Sequence, residues 1–591
     1  MTGNFVFLAE QFSALEKMGS LAEIYMYTDP NACIYKLGSL AETMVNYIFD
    51  MEESLTEPSG GNNTQYNKVN ILLSKKFIDQ SIFKIFDMIR KNRNEAVHAG
   101  HDSFDDCVLM ITGAYTISVW FIRIYGDREY TPDPFVMPYD IRNRADYQTL
   151  LEENERLTAS LEKALKDALH RKAHTHVHAS ERRQRAEKAT RDIRLSEREI
   201  RYIIEEQLQK TGWEADTYNL RYSKGTRPEE GRNIAIAEWP TDLTVCKWGF
   251  VDYALFAGNK LVGVVEANAD RKDIPSSIDN QCREYSMGVK EEHTGYLTGV
   301  WGEYKVPFLF ATNGKAYNNE FEERTGVWFR DARSETNIPK VLQGWIDPQG
   351  LLDMLEYDIE TANNELAELP YDQLRDKDGL DLRPYQIEAI EKAEGSVLEG
   401  GQTALLTMAS GTGKTRTVLG MVHRFLKTGR FNRILFLVDS ADTGEQTLNA
   451  FREVSIKGNM TLEQIYGAKA FGDDEPDSEA KIHVATVDSL AKRIIYNDAE
   501  SMPSVTYYDL IVVDEGRSGF VPVGVMGDDG QPGLSPDDYL SNYRSVIDYF
   551  DAVKIALTSA PELRITEIFG KPVFEYSHRR AVTEGYLADH G

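Results

Sequence analysis

One short stretch constrains this chain more than any other. The apolar run TALLTM, residues 403–408, passes directly into Ala409-Ser410-Gly411-Thr412-Gly413-Lys414-Thr415, and the helix-type sequence RTVLGMV follows. A short apolar run bounded by a glycine turn reads as a buried strand, and a strand, a glycine loop and a helix in that order cradle phosphates. Gly411 and Gly413, with Thr412 between them, let backbone N–H groups curl around the β- and γ-phosphates at a helix N-terminus. Lys414 neutralises their charge, and the Thr415 hydroxyl is the expected Mg2+ ligand, so ATP and Mg2+ are the expected cofactors. Met408 stands where the strict GxxxxGK[ST] pattern has its first glycine.

The surroundings extend this reading. From about Asp381 the apolar runs RILFLVD, KIHVATV, DLIVVDE and AVKIALT alternate with helical segments, the pattern of a parallel α/β sheet. DLIVVDE ends in Asp514 and Glu515, acids that a nucleotidase uses to hold Mg2+ and to orient the attacking water. Upstream, LRPYQ places Gln386 where a glutamine can read adenine, and ALTSAP (Ala556 to Pro561) ends the following strand, where a coupling element would sit.

At 591 residues the chain is too long for one core, and roughly three to five domains are expected. A net charge of −28 argues against a protein that coats nucleic acid, but not against an enzyme whose basic surface is confined to a groove. No apolar run approaches the ~18 residues of a membrane helix. The opening MTGNFVFLAEQF has no basic n-region or long apolar h-region, so neither a signal peptide nor a membrane partner is expected. Cys33, Cys107, Cys246 and Cys282 lie far apart, which fits a reducing cytosol rather than a disulfide framework.

Residues 1 to about 140 carry apolar positions at helical spacing. From about Ala145 to Glu199 the sequence is highly charged and reads as a solvated helical spacer or short coiled coil. Helix and strand patterns then mix from about Arg201 to Gly344. Within that region FVDYALFAGNKLVGVVEAN places Asp252 and Glu266 on adjacent strands, both toward one end of a small sheet. Paired acids so placed suit an Mg2+ site that activates water for phosphodiester attack, although a plain hairpin with two surface acids has the same spacing.

Three weaker signals favour bland readings. Arg93-Asn94 and His98 have the Arg-x4-His spacing of HEPN-type ribonucleases, but a scaffold helix is the simpler reading. His170, His174, His176 and His178 cluster without an acid or cysteine to complete a tetrahedral metal set. The run from Arg182 to Arg194 is interrupted by acids and reads as a charged helix face.

The order of LRPYQIEAI, MASGTGKTRT, VVDEGRSG and ALTSAP resembles superfamily 2 helicases. Together with FLVDS, VATVDSL and, above all, TEIFGKPVFEYSHRRAVTEGYLAD, it resembles the restriction (R, HsdR-like) subunit of type I restriction enzymes, N-terminal half. The resemblance implies a multi-domain α/β protein. Its parts would be a helical, HEPN-like domain (1–144), the spacer (145–200), a PD-(D/E)xK-type nuclease domain (201–345), a linker (346–378) and a RecA-like ATPase lobe (379–591) with no second lobe after it. As it stands, such a chain would bind nucleotide but hydrolyse it poorly. The implied substrate is double-stranded DNA, the implied partners are modification (methyltransferase) and specificity subunits, and the implied location is cytoplasmic.

For the nuclease the resemblance implies Asp252 and Glu266 as metal-holding acids, Gln281 and Tyr285 as a Gln-xxx-Tyr element, and Glu205 (or its neighbour Glu206) as an upstream helical acid. Two departures stand out. Asn268 occupies the place of the catalytic lysine, so that Lys272 or Lys260 takes over or the nuclease is impaired. Gly516-Arg517 follows Asp514-Glu515 where the family has Ala-His. The expected activity is ATP-dependent DNA translocation with Mg2+-dependent cleavage of unmodified DNA. The rivals are a nucleotide- and DNA-binding relic and a stand-alone helicase-nuclease.

Overall fold

The computed structural model describes residues 3–588 except 53, 59–62, 100–103, 129, 139–155, 159, 162–163, 165–178, 192–194, 268–272, 335–336, 378, 439, 458–459, 472–478, 495–502, 515–535 and 560–562. The N-terminal region is all helical, with helices Ser13–Tyr25, Pro30–Met51, Gln65–Ser74, Gln80–Ala99 and Phe104–Tyr125. The second starts on a proline at its first turn, and its Asp29 cap accepts the Ala32 N–H at 3.0 Å. Phe104–Tyr125 is long and apolar enough to cross a membrane, yet 83% of its most apolar window is buried among the other helices; it forms the middle of this domain.

The charged stretch expected to be a solvated spacer is packed where it is described. In helix Ala179–Arg191 the Arg182 guanidinium is buried, reaches Glu52 at 3.1 Å and lies over the Tyr125 ring. Ala186 and Ala189 are buried too. A periodic stripe of arginines and alanines can bury a helix when one partner acid waits in the core, and charge counting alone misses this. The next helix, Glu197–Lys210, opens with a capping box between Ser196 and Glu199, four residues before the expected domain boundary. Glu199 is buried and accepts the Thr116 hydroxyl at 2.8 Å, tying this helix to the helical domain.

A seven-stranded mixed sheet follows, ordered β1-β2-β3-β4-β5-β6-β7. Its strands are β1 (Glu214–Ala215), β2 (Asn233–Pro240), β3 (Phe250–Ala257), β4 (Lys260–Ala267), β5 (Phe308–Thr312), β6 (Val327–Asp331) and β7 (Lys340–Leu342). β2, β3 and β4 are antiparallel neighbours, and β4 pairs parallel with β5. One face packs on helix Glu197–Lys210. The other packs on an irregular helix in which Ile274–Ser277 and Arg283–Met287 flank a π turn at Ile278–Cys282.

Residues 346–378, expected as a linker, form a folded bridge. Helices Pro348–Glu356 and Ile359–Glu368 bury Leu351 and Leu366. The Tyr357 hydroxyl donates to the Arg430 carbonyl at 2.8 Å, and Lys340 on β7 pairs with Asp551 at 2.6 Å, so the two sheets are held together through side chains.

The second sheet is wholly parallel, ordered β12-β13-β9-β14-β15-β8-β16. Its strands are β8 (Thr403–Met408), β9 (Ile434–Val438), β12 (Ala468–Ala470), β13 (Ile482–Thr486), β14 (Leu510–Asp514), β15 (Val553–Thr558) and β16 (Phe574–Tyr576), with a separate hairpin of β10 (Ser455–Lys457) and β11 (Met460–Thr461). Helices such as Pro384–Leu398 and Lys414–Lys427 cover it, as its largely apolar central strands require. Behind the loop after β8, Arg424 makes a bidentate pair with Glu394, at 2.6 and 3.0 Å, both side chains being buried.

Candidate functional sites

The glycine loop lies at the carboxyl end of β8, the edge at which parallel α/β sheets bind ligands. Gly411 and Gly413 have φ of 81° and 84°, a left-handed conformation that favours glycine. Gly413 caps helix Lys414–Lys427, so Lys414 and Thr415 begin its first turn. The Thr412 hydroxyl is buried and turns inward to the Ala409 carbonyl at 2.6 Å.

Gln386 is not open to a base as expected. Its Oε1 accepts the Arg383 N–H at 2.8 Å, and its Nε2 donates to the Thr412 and Gly413 carbonyls at 3.1 Å each. Both amide protons are thus committed to the loop, and Gln386 serves as a clamp beneath it. The Tyr385 hydroxyl adds a third hydrogen bond, to the Thr412 carbonyl at 2.9 Å. Tyr385 also stacks on Tyr576 of β16, with ring centroids 4.0 Å apart, and the Ala409 N–H donates to the Tyr576 carbonyl at 3.0 Å. The distinctive C-terminal segment is therefore packed against the glycine loop.

Asp514 ends β14 beside Leu557 of β15, and Thr558 of β15 lies beside Thr407 of β8. With strands about 4.8 Å apart, the backbone of Asp514 stands two strands, or about 10 Å, from the loop strand at the same sheet end. Glu515, Gly516 and Arg517 lie outside the described residues.

In the mixed sheet, a one-residue irregularity decides the site. The turn at Gly258-Asn259 pairs Ala257 with Lys260 and Phe256 with Leu261, but Leu255 pairs with Gly263. Val262 is thus an extra residue in β4, and the bulge shifts the register by one. Unbulged, Asp252 would oppose Val265 and lie on the face away from Glu266. With the bulge, Tyr253 opposes Val265, and the next pair along is Asp252 and Glu266. The two carboxyls thus lie side by side, and Asp252 Oδ2 accepts the Ala267 N–H at 2.8 Å.

Gln281 and Tyr285 join these acids. Gln281 Nε2 donates to the Tyr285 oxygen at 2.8 Å, and the Tyr285 hydroxyl donates to Glu266 Oε2 at 2.8 Å, all three side chains being buried. Burial, with Glu266 alongside, pushes the Tyr285 hydroxyl far above its ordinary range and keeps it a donor. Burial also raises the Asp252 carboxyl, against the nearby Arg201 and the Ala267 N–H.

Glu205 is placed elsewhere. It accepts the Thr217 N–H at 2.8 Å and the Tyr253 hydroxyl at 3.3 Å, on the other face of β3, and burial raises its carboxyl. Glu206 pairs with Lys91 at 2.5 Å. The helix residue that reaches Asp252 is Arg201, one turn earlier, at 3.0 Å. Sequence reading passed over it, although Glu197, Arg201 and Glu205 share a face at four-residue spacing. Glu238, also passed over, falls opposite Asp252 on β2 with a φ of 52°.

Asn268 and Lys272 lie outside the described residues. Lys260 begins β4, six residues from Glu266, or about 20 Å along a strand, and cannot reach the acids. The side chain of His98 and the whole of the histidine cluster also lie outside the described residues. Arg93 pairs with Glu42 at 2.5 Å and lies over the Tyr35 ring.

Two carboxyls side by side on adjacent strands can serve as a hard-cation donor set, because adjacent carboxylates repel unless a proton or cation lies between them. Among the described residues no cluster of three His, Cys, Asp or Glu could hold a metal.

Two family models match the chain: the second domain of the type I restriction enzyme EcoKI endonuclease subunit over residues 214–355, and the type III restriction enzyme res subunit over residues 379–563. The chain is similar to the type I restriction enzyme EcoKI endonuclease subunit of Escherichia coli K12, with 34% identity over 99% of this chain and 55% of that protein. It is also similar to the EcoAI endonuclease subunit of Escherichia coli, with 30% identity over 48% of this chain and 32% of that one. It thus spans about half the length of the first relative and a third of the second. Among solved structures, a fragment of a proposed HsdR subunit from Vibrio vulnificus YJ016 matches 67% of this chain and 62% of its own, at 20% identity and a TM-score of 0.26.

Proposed function

We propose that this chain, homologous along its length to the endonuclease (R) subunits of type I restriction enzymes, couples ATP-driven movement along double-stranded DNA to Mg2+-dependent cutting of unmodified DNA. Site recognition would come from the modification and specificity subunits with which it assembles. The observation that carries the reading is the Asp252–Glu266 pair on adjacent strands, with Glu266 buried and hydrogen-bonded through Tyr285 to Gln281, in one chain with a glycine-loop nucleotide site.

At the nuclease centre, cutting forms a bond from a water oxygen to phosphorus and breaks one phosphorus–oxygen ester bond, a water proton going to the departing sugar oxygen. Asp252 and Glu266 would hold Mg2+, which when bound supplies charge neutralisation and Lewis-acid polarisation. Tyr285 fixes the Glu266 carboxyl, and the Ala267 N–H fixes that of Asp252. At the motor site, Lys414 and the loop amides would grip the phosphates, while Thr415 and Asp514 would hold Mg2+ and Glu515 would orient water. Gln386 and Tyr385 keep the loop carbonyls turned away from the nucleotide.

Two substitutions test this in the assembled complex on unmodified DNA. Lys414→Ala removes nucleotide binding and cutting together. Asp252→Asn leaves ATP turnover intact and removes cutting. Cutting that survives Asp252→Asn refutes the nuclease assignment, and unchanged nucleotide affinity in Lys414→Ala refutes the motor assignment.

A further inference from the structure

Asn268 leaves the nuclease without the lysine that normally offsets charge at such a centre, and Lys260 is too far away to replace it. Lys272 lies outside the described residues, and among the described residues Arg201 is a cation beside the acids. Arg201 projects from helix Glu197–Lys210 with its Nη2 3.0 Å from Asp252 Oδ1 and 2.9 Å from Glu197 Oε1, and its Nη1 3.9 Å from Glu238 Oε1. Its side chain is only 14% exposed. Glu238 holds a left-handed φ of 52° in mid-strand, a strain of about 1 kcal/mol or more for a non-glycine residue. From there its carboxylate reaches Arg201 and, at 3.3 Å, Arg221. The guanidinium is thus held from three sides by acids on a helix and two strands, a rigid setting for a charge that does not titrate.

Two carboxylates facing a phosphodiester repel it, and a fixed cation beside them lowers that cost. We propose that Arg201 is the positioning cation of the nuclease centre, aligning Asp252 and supplying from the helix the positive charge that residue 268 lacks. This rests on the nuclease reading above. The plainer alternative is an ion pair that only fastens the helix to the sheet.

The test compares the parent, Arg201→Gln, Arg201→Lys, Asn268→Lys and the Arg201→Gln/Asn268→Lys double variant in the assembled complex. Cutting of unmodified supercoiled DNA is measured, with ATP turnover as the control for folding. The parent cuts, Arg201→Gln loses about 100-fold, the size of one lost electrostatic donor, Arg201→Lys keeps most of the activity, and Asn268→Lys restores cutting to Arg201→Gln. A second readout is Mn2+ affinity without DNA. Removing a cation that competes for Asp252 raises that affinity, whereas loosening the helix lowers it.

Arg201→Gln cutting within about threefold of the parent, a loss that Asn268→Lys does not repair, or a lower Mn2+ affinity overturns the proposal. A silent parent that Asn268→Lys awakens also overturns it, while leaving the nuclease reading in place. If neither the parent nor Asn268→Lys cuts while ATP is turned over, the nuclease reading itself fails.

Discussion

Gly413→Ala tests how the proposed nucleotide site is built, because two separate penalties attach to this substitution. An added Cβ would have to adopt φ 84°, which costs an L-residue roughly 1–2 kcal/mol. It would also stand 2.4 Å from Gln386 Nε2. A flexible amide could swing aside, but this one is buried and its two hydrogen bonds to the loop would be lost. At about 1 kcal/mol each these bring the total to roughly 3–4 kcal/mol, or about a 100-fold to 1,000-fold weaker nucleotide affinity. Gly411→Ala is the internal control. Its φ is 81°, but the nearest atom to an added Cβ, on Leu587, is an ordinary 3.4 Å away, so it pays the backbone cost alone, roughly tenfold.

Equilibrium binding of a fluorescent ATP analogue with Mg2+ measures both. Gln386→Ala sharpens the test, since the hydrogen bonds it removes are those that Gly413→Ala has already broken. Gln386→Ala should therefore cost about 2 kcal/mol in the parent and almost nothing in the Gly413→Ala background. Equal losses for the two glycine variants, or additive losses in the double variant, would show that Gln386 does not clamp the loop.

The parts legible in the sequence are those whose geometry is local. The loop at 409–415 fixes its own shape by glycine spacing, and the structure has the expected strand, turn and helix around it. The pairing of Asp252 with Glu266 was read from their neighbourhood, but the reason it holds was not visible. A two-residue turn alone puts them out of register, and the bulge at Val262 corrects it. A bulge depends on how Leu261 and Val262 divide between the two faces, where both are buried, and no local pattern in LVGVV announces that. Glu205 was misplaced for a similar reason. On a helix, a change of four residues keeps the face but moves along the axis, and only the crossing of helix and sheet decides that Arg201 reaches Asp252 while Glu205 reaches Tyr253. Gln386 was expected to read adenine, but its amide bonds to the loop instead, because the Gly413 carbonyl becomes available only once the loop has turned over.

Two further predictions concern what holds the parallel-sheet lobe together, both followed by the urea midpoint for loss of bound ATP analogue. Arg424→Met leaves the buried Glu394 carboxylate without its guanidinium partner, although the Tyr371 hydroxyl still donates to it at 2.6 Å, and frees the Leu369 and Pro370 carbonyls. It should cost about 3–5 kcal/mol, most of it regained in Arg424→Met/Glu394→Leu; a double variant no better than the single would refute this. Asp509 accepts the N–H groups of Asn432 and Arg433 at 2.6 and 3.0 Å, and burial raises its carboxyl to about 6. Because the folded value lies above the unfolded one, its stabilising contribution is full below about pH 4 and is lost as pH rises through about 6. The acid-favouring term vanishes in Asp509→Asn, so the parent's midpoint should fall relative to that of the variant between pH 4 and 7. A constant gap between the two would mean that Asp509 ionises in the folded lobe as freely as in the unfolded chain, and that its two backbone hydrogen bonds offset the whole cost of burying its charge.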